Sequence, residues 1–116
     1  MTYVDGFVVA VPTANREAYR KMAEEAAAVF KELGELQQVE CWGVDVPDGE
    51  VTSFPMAVKC KADETVVFSW ILWPSREQRD EGHKKFMADP RIQAMTDMPF
   101  DGKRMIFGGF EVIFDR

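Results

Sequence analysis

The sequence holds one histidine, two cysteines, no excess of basic residues and no long apolar run. Each scarcity removes a class of function. A bilayer span needs about 20 consecutive apolar residues, and no stretch of this chain comes near that. The N-terminal residues lack a basic segment followed by a signal-type apolar region, so the expected location is the cytoplasm. The single histidine, His83, has no second histidine to join it, and no His, Cys and carboxylate group shows metal-ligand spacing. Neither a metal nor a cofactor is therefore expected. Cys41 and Cys60 are too few for a disulfide framework and too far apart for a redox or zinc motif. They are expected to be reduced structural thiols, and Cys41 has no base beside it in sequence to activate it. Fourteen Lys plus Arg stand against twenty Asp plus Glu, a net charge of -6. That balance repels a phosphate backbone, and the densest basic stretches, Lys84-Lys85 and Lys103-Arg104, are only pairs. Nucleic acid is not an expected partner.

What is present is a globular composition, 47% hydrophobic in 116 residues, which is enough for one core and rules against a disordered chain. A single domain over residues 1–116 is expected. Tyr3 to Val11 is rich in β-favouring residues and ends at Pro12, which cannot donate to a ladder. Tyr19, Met22, Ala26, Val29, Phe30 and Leu33 then recur at helical spacing down to Gly34, with Thr13 or Asn15 as the expected cap. Gln38 to Val46 reads as a second strand, closed by Pro47-Asp48-Gly49. For residues 50–64 a short helical turn behind Ser53 is favoured over an edge strand at Met56 to Cys60. Thr65 to Trp73 is a third strand. Ser75 followed by Gln78 is a capping-box pattern that opens a second helix, with Gly82, His83, Phe86 and Met87 as its inward stripe. Asp89-Pro90 interrupts it, and Arg91 to Met98 reads as a further short helix. Lys103 to Phe114 is the fourth strand.

The order strand, helix, strand, strand, helix, strand is the ferredoxin-like α+β arrangement: a four-stranded antiparallel sheet with helices on one face. Thr65 to Trp73 is apolar on both alternating faces, with Val67, Ile71 and Trp73 on one and Val66, Phe68, Trp70 and Leu72 on the other. Two helices cover one face only. The other face therefore predicts a homodimer in which a second copy covers it, because large exposed apolar patches are disfavoured in monomers.

Two polar residues interrupt otherwise apolar strands. If the first and last strands pair with Asp5 opposite Glu111, two carboxylates lie side by side, and their mutual repulsion would raise one pKa into the range of a general acid or base. The competing reading bonds Asp5 to a neighbouring backbone group or to a basic residue such as Arg104 and leaves Glu111 to pair across a dimer. His83, close to Phe86 and beside an aromatic such as Trp70, could line a cleft between helices and sheet. Trp42, Trp70, His83, Phe86 and Phe107 are accordingly the candidate ligand-binding residues, and His83, Asp5 and Glu111 the candidate catalytic ones. Gly108-Gly109 is followed by strand, which argues against a phosphate loop and for close approach of a backbone or an aromatic.

The segments Tyr3-Val4-Asp5-Gly6-Phe7, Val66-Val67-Phe68-Ser69-Trp70-Ile71, Asp89-Pro90-Arg91 and the long stretch from Met98 through Gly108-Gly109 to Glu111 resemble the YbaA-like family of small bacterial proteins, whose domain has no assigned function. The resemblance spans essentially the whole chain. It implies a dimeric α/β-barrel of ferredoxin-like subunits and supplies no reaction, since that superfamily includes monooxygenases, haem-degrading enzymes and binding proteins. The expected function is a dimer binding a small apolar or aromatic ligand between helices and sheet. The alternatives are a small cofactor-independent monooxygenase-like enzyme and, more distantly, an RNA-associated protein.

Overall fold

Period-two patterning and helical periodicity each produce the element they call for. The computed structural model describes residues Met1–Arg116, with β1 at Tyr3–Pro12, α1 at Arg16–Glu32, β2 at Gln37–Trp42, α2 at Phe54–Ala57, β3 at Glu64–Trp73, α3 at Arg76–Ala88, α4 at Pro90–Gln93 and β4 at Ile106–Glu111. The strands form one antiparallel sheet in the order β2-β3-β1-β4. This is the ferredoxin-like α+β fold expected from the element order.

Alternation along β1 and β3 sends Val9, Val11, Val67, Ile71 and Trp73 toward α1 and α3, where they meet Tyr19, Ala23 and Phe30. Fully burying an aliphatic or aromatic side chain is worth about 1.5–3 kcal/mol, so this layer is the main source of cohesion. The reverse side is less bare than the sequence pattern suggests. Residues 43–63 fold back across one end of it, and Val58, 1% exposed, covers Val8, Ala10 and Val66. The helical turn favoured for that stretch is present as α2, and the Ser53 hydroxyl accepts from the Met56 amide at 3.1 Å. Arg104 fastens the crossing segment, pairing with Glu64 at 2.6 Å and donating to the Lys59 carbonyl at 2.8 Å. At the other end of the same face Phe68, Ile106 and Phe110 remain exposed.

Several boundaries differ from the sequence reading. β2 stops at Trp42 because Gly43, whose added Cβ would come within 2.7 Å of the Val66 carbonyl oxygen, is where the chain turns off the sheet. β4 begins only at Ile106, since Gly102–Arg104 forms a 3-10 turn capped by the Asp101 side chain. Its far end stops at Glu111, and Ile113 and Phe114 are solvent-exposed. Neither Thr13 nor Asn15 caps α1: Thr13 bonds the Thr65 hydroxyl at 2.7 Å, and Asn15 donates to the Pro99 carbonyl at 3.0 Å. The helix after Pro90 is one turn and ends at Gln93. Met87, assigned to the inward stripe of α3, is 68% exposed.

Candidate functional site

The polar residues that face the helices gather at two places. The first is built on Asp5, in the middle strands, 2% exposed. Its carboxylate accepts from the Trp73 indole nitrogen at 3.0 Å, from Arg79 Nη2 at 2.8 Å and Nε at 3.0 Å, and lies 2.9 Å from His83 Nε2. Arg79 and His83 stand four residues apart on α3, so helical geometry presents both to the same point on the sheet. Burial alone would raise the Asp5 pKa. The hydrogen bonds from His83 and Arg79, reinforced by their charges, outweigh it and hold the carboxyl below its ordinary range. Hydrogen bonding to Asp5 in turn raises the Arg79 pKa.

The expected pairing of Asp5 with Glu111 does not occur. In the β1–β4 ladder Tyr3 faces Glu111, Asp5 faces Gly109 and Phe7 faces Phe107, two residues away from the anticipated register. The cause is visible at Gly109, where a Cβ would lie 2.3 Å from the Tyr3 hydroxyl and 2.8 Å from Arg79 Nη2. Only glycine leaves room for both side chains to cross the strand there, as Gly108-Gly109 suggested. Glu111 is exposed, and Arg104, named as a partner for Asp5, is occupied by Glu64.

The second place is an open cleft of about 460 Å³ between α1 and β2, with Tyr19, Ala23, Ala27, Trp42 and Val67 among its walls. Glu40 enters it from β2. One carboxylate oxygen accepts from the Tyr19 hydroxyl at 2.6 Å and the other from the Gln38 amide at 3.1 Å. Burial and then the neighbouring Glu40 charge push the Tyr19 phenol far above its usual pKa, so it is a proton donor at every ordinary pH. The Arg16 guanidinium stands over the Trp42 ring at 5.3 Å.

The five candidate ligand-binding residues do not share one pocket. Trp42 lines the α1–β2 cleft. His83 and Phe86 belong to α3, where Phe86 stacks on Phe30 with ring centroids 4.0 Å apart. Phe107 lies on the edge strand beside Phe7 and is 71% exposed. Trp70 points to the reverse face, where its indole donates to Gln37 at 3.2 Å; the aromatic next to His83 is Trp73, at 6.0 Å between ring centroids. Sequence reasoning missed Arg79, Tyr19 and Glu40. Arg79 had a signal in its i,i+4 spacing to His83, whereas Tyr19 and Glu40 meet only through the α1–β2 packing. No three His, Cys, Asp or Glu side chains converge to hold a metal ion.

The chain belongs to the family described as protein of unknown function (DUF1428), which matches residues 2–102. The protein YbaA of Escherichia coli is 61% identical over 116 residues, covering 99% of each chain, and YbaA of Shigella flexneri is similar to the same extent. Among solved structures, a MhuD mutant with two manganese protoporphyrin IX bound per active site superposes with a TM-score of 0.60 at 19% identity, covering 98% of this chain and 97% of that one. At that identity the likeness establishes the fold. SnoaB, a cofactor-independent oxygenase from Streptomyces nogalater, gives a TM-score of 0.46 at 16% identity over 98% of this chain and 93% of that one.

Proposed function

For this member of the family we propose a homodimer that binds a small aromatic ligand in the α1–β2 cleft of each subunit. The observation that carries the reading is the cleft itself. Its volume, about 460 Å³, falls within the roughly 300–1,000 Å³ usual for small-molecule sites. Trp42 offers an aromatic wall, Ala23, Ala27 and Val67 an apolar floor, and Tyr19 with Glu40 a fixed polar point. Titrating nitrogen-labelled protein with small aromatic compounds tests this: the Trp42 indole and the amides of Glu40 and Ala23 should shift together. Absence of any shift at Trp42 at millimolar ligand would remove the proposal.

The dimer rests on the part of the reverse face left uncovered by residues 43–63. Phe68, Ile106 and Phe110 rim a shallow apolar hollow there, with Gly6 and Gly108 at its base. A second copy of the same face is the partner whose chemistry matches, and a stable pair would bury about 800 Å² on each subunit. Phe68→Lys should convert a sedimenting dimer into a monomer that keeps its far-ultraviolet circular dichroism, and an unaltered dimer would refute the interface. The unbridged Cys41 and Cys60 suit a reducing compartment such as the cytoplasm.

A second reading is favoured by one specific contact. With His83 Nε2 held by Asp5, Nδ1 is the nitrogen left for a substrate, which is how a buried carboxylate orients a histidine base. That arrangement suits a proton-transfer enzyme of the cofactor-independent monooxygenase kind. Oxygen consumption with phenolic substrates, lost in His83→Gln, would support it; turnover indifferent to that substitution would end it.

A further inference from the structure

The acidic side chains around the α1–β2 cleft divide by partner. Glu17 and Glu24, on its rim, both hold Arg20, at 3.1 and 2.7 Å. Glu40 has no such cation. Its two oxygens take their hydrogen bonds from a phenol and an amide, neutral groups that fix the carboxylate in place without cancelling its charge. Arg16, the other unpaired charge of the cleft, stands over the Trp42 ring and forms no salt bridge. A guanidinium over an indole is a favourable cation–π contact, and it shows that this wall accepts a planar cation. The Arg16 residue is exposed, so its long side chain can leave the ring for solvent at little cost.

From this arrangement we propose that the ligand is a planar aromatic cation, of the amidinium or guanidinium class, which takes the place of Arg16 on Trp42 and gives its N–H donors to Glu40. The proposal rests on the cleft reading above and adds the charge of the occupant. Glu40 would act as the specificity residue, and Tyr19 and Gln38 as the residues that position it. An anionic aromatic of the same size would bring its carboxylate against that of Glu40. Like charges so placed are a discriminating element as effective as any attraction.

The test compares benzamidine, benzyl alcohol and benzoate by nitrogen-labelled NMR titration of the full chain. Benzamidine should bind at least about tenfold more tightly than benzoate, with the Trp42 indole as the responding signal. Glu40→Gln, which keeps an acceptor for Tyr19, should abolish that preference while the amide signals away from the cleft stay those of the parent. Tyr19→Phe keeps the charge but frees the carboxylate, and should reduce the preference by a smaller factor. Benzoate binding as tightly as benzamidine, or a preference that survives Glu40→Gln, would overturn the assignment. If benzyl alcohol shifts Trp42 but benzamidine is no tighter, the cleft stands and the charge selection falls. If none of the three shifts Trp42, the cleft reading falls with it.

Discussion

Asp5 and Glu40 are both strand carboxylates on the side of the sheet that faces the helices, and they live in opposite electrostatic conditions. Asp5 is enclosed by an indole, a bidentate guanidinium and an imidazole. Glu40 lies at an open cleft and meets only neutral donors. A buried carboxylate deprived of its cation is costly, so the Asp5 cluster acts first as a fastening between β1, β3 and α3. A carboxylate whose charge is uncancelled and whose surroundings are wet contributes little to stability and is free to meet a ligand. On the proposed reading the two halves of the helix-covered face have different duties: one holds the layers together, the other meets the ligand.

Breaking the fastening is the severest way to test that contrast. Asp5→Ala leaves the half-buried Arg79 with only Asp80, 2.9 Å away, as a counter-charge and leaves the Trp73 indole and His83 without their acceptor; it should cost about 3 kcal/mol, read as a shift of the urea midpoint. Glu40→Gln should cost under about 1 kcal/mol, and near-equal losses at the two sites would dissolve the distinction. Next in size is Gly82→Ala on α3. Alanine favours the helix by about 1 kcal/mol, but the new Cβ would sit 2.6 Å from the fully buried Trp73 ring. Overpacking of that kind costs about 1–3 kcal/mol, so the clash should win and the variant should be less stable than the parent; a gain in stability would show that Trp73 yields. Acid sensitivity sharpens the same contrast. Asp5 and Glu64 both have folded pKa values below their ordinary ones, Glu64 falling from 4.5 to about 2 beside Arg104. Groups lowered in this way give their full stabilisation above the unfolded pKa and lose it as pH falls. Stability should hold above about pH 5 and decline from there toward pH 2. Asp5→Asn should flatten part of that decline, and an identical slope would remove Asp5 from the account.

The fold was legible because it follows from patterns inside single segments. Alternating residues in Thr65 to Trp73, the helical spacing from Tyr19 to Leu33 and the Ser53 and Ser75 caps each specify their element locally. The site was less legible because it depends on relations between segments. A register fixed by Tyr3 and Arg79 crossing Gly109 moved Asp5 away from Glu111, and a two-residue offset keeps every side chain on its face, so alternation could not detect it. Asp5 and His83 were singled out separately, but only the packing of α3 on β1 and β3 brought them together. Trp70 was placed beside His83 because the strand is apolar on both faces, and nothing in its pattern told which face the helices would take. The same ambiguity concealed the cover that Val58 provides on the reverse side.

Residues 44–52 form an exposed tip, with Val44 and Val51 almost fully in solvent, and they divide the chain into a part that carries β1 and β2 and a part that carries β3 and β4. In the sheet order β2-β3-β1-β4 the two parts alternate, and each ladder joins a strand of one to a strand of the other. Neither part holds a hydrogen-bonded strand pair of its own. Cleavage at the tip would thus give two fragments that are interlaced like the fingers of clasped hands: unable to form a sheet separately, and complementary when mixed.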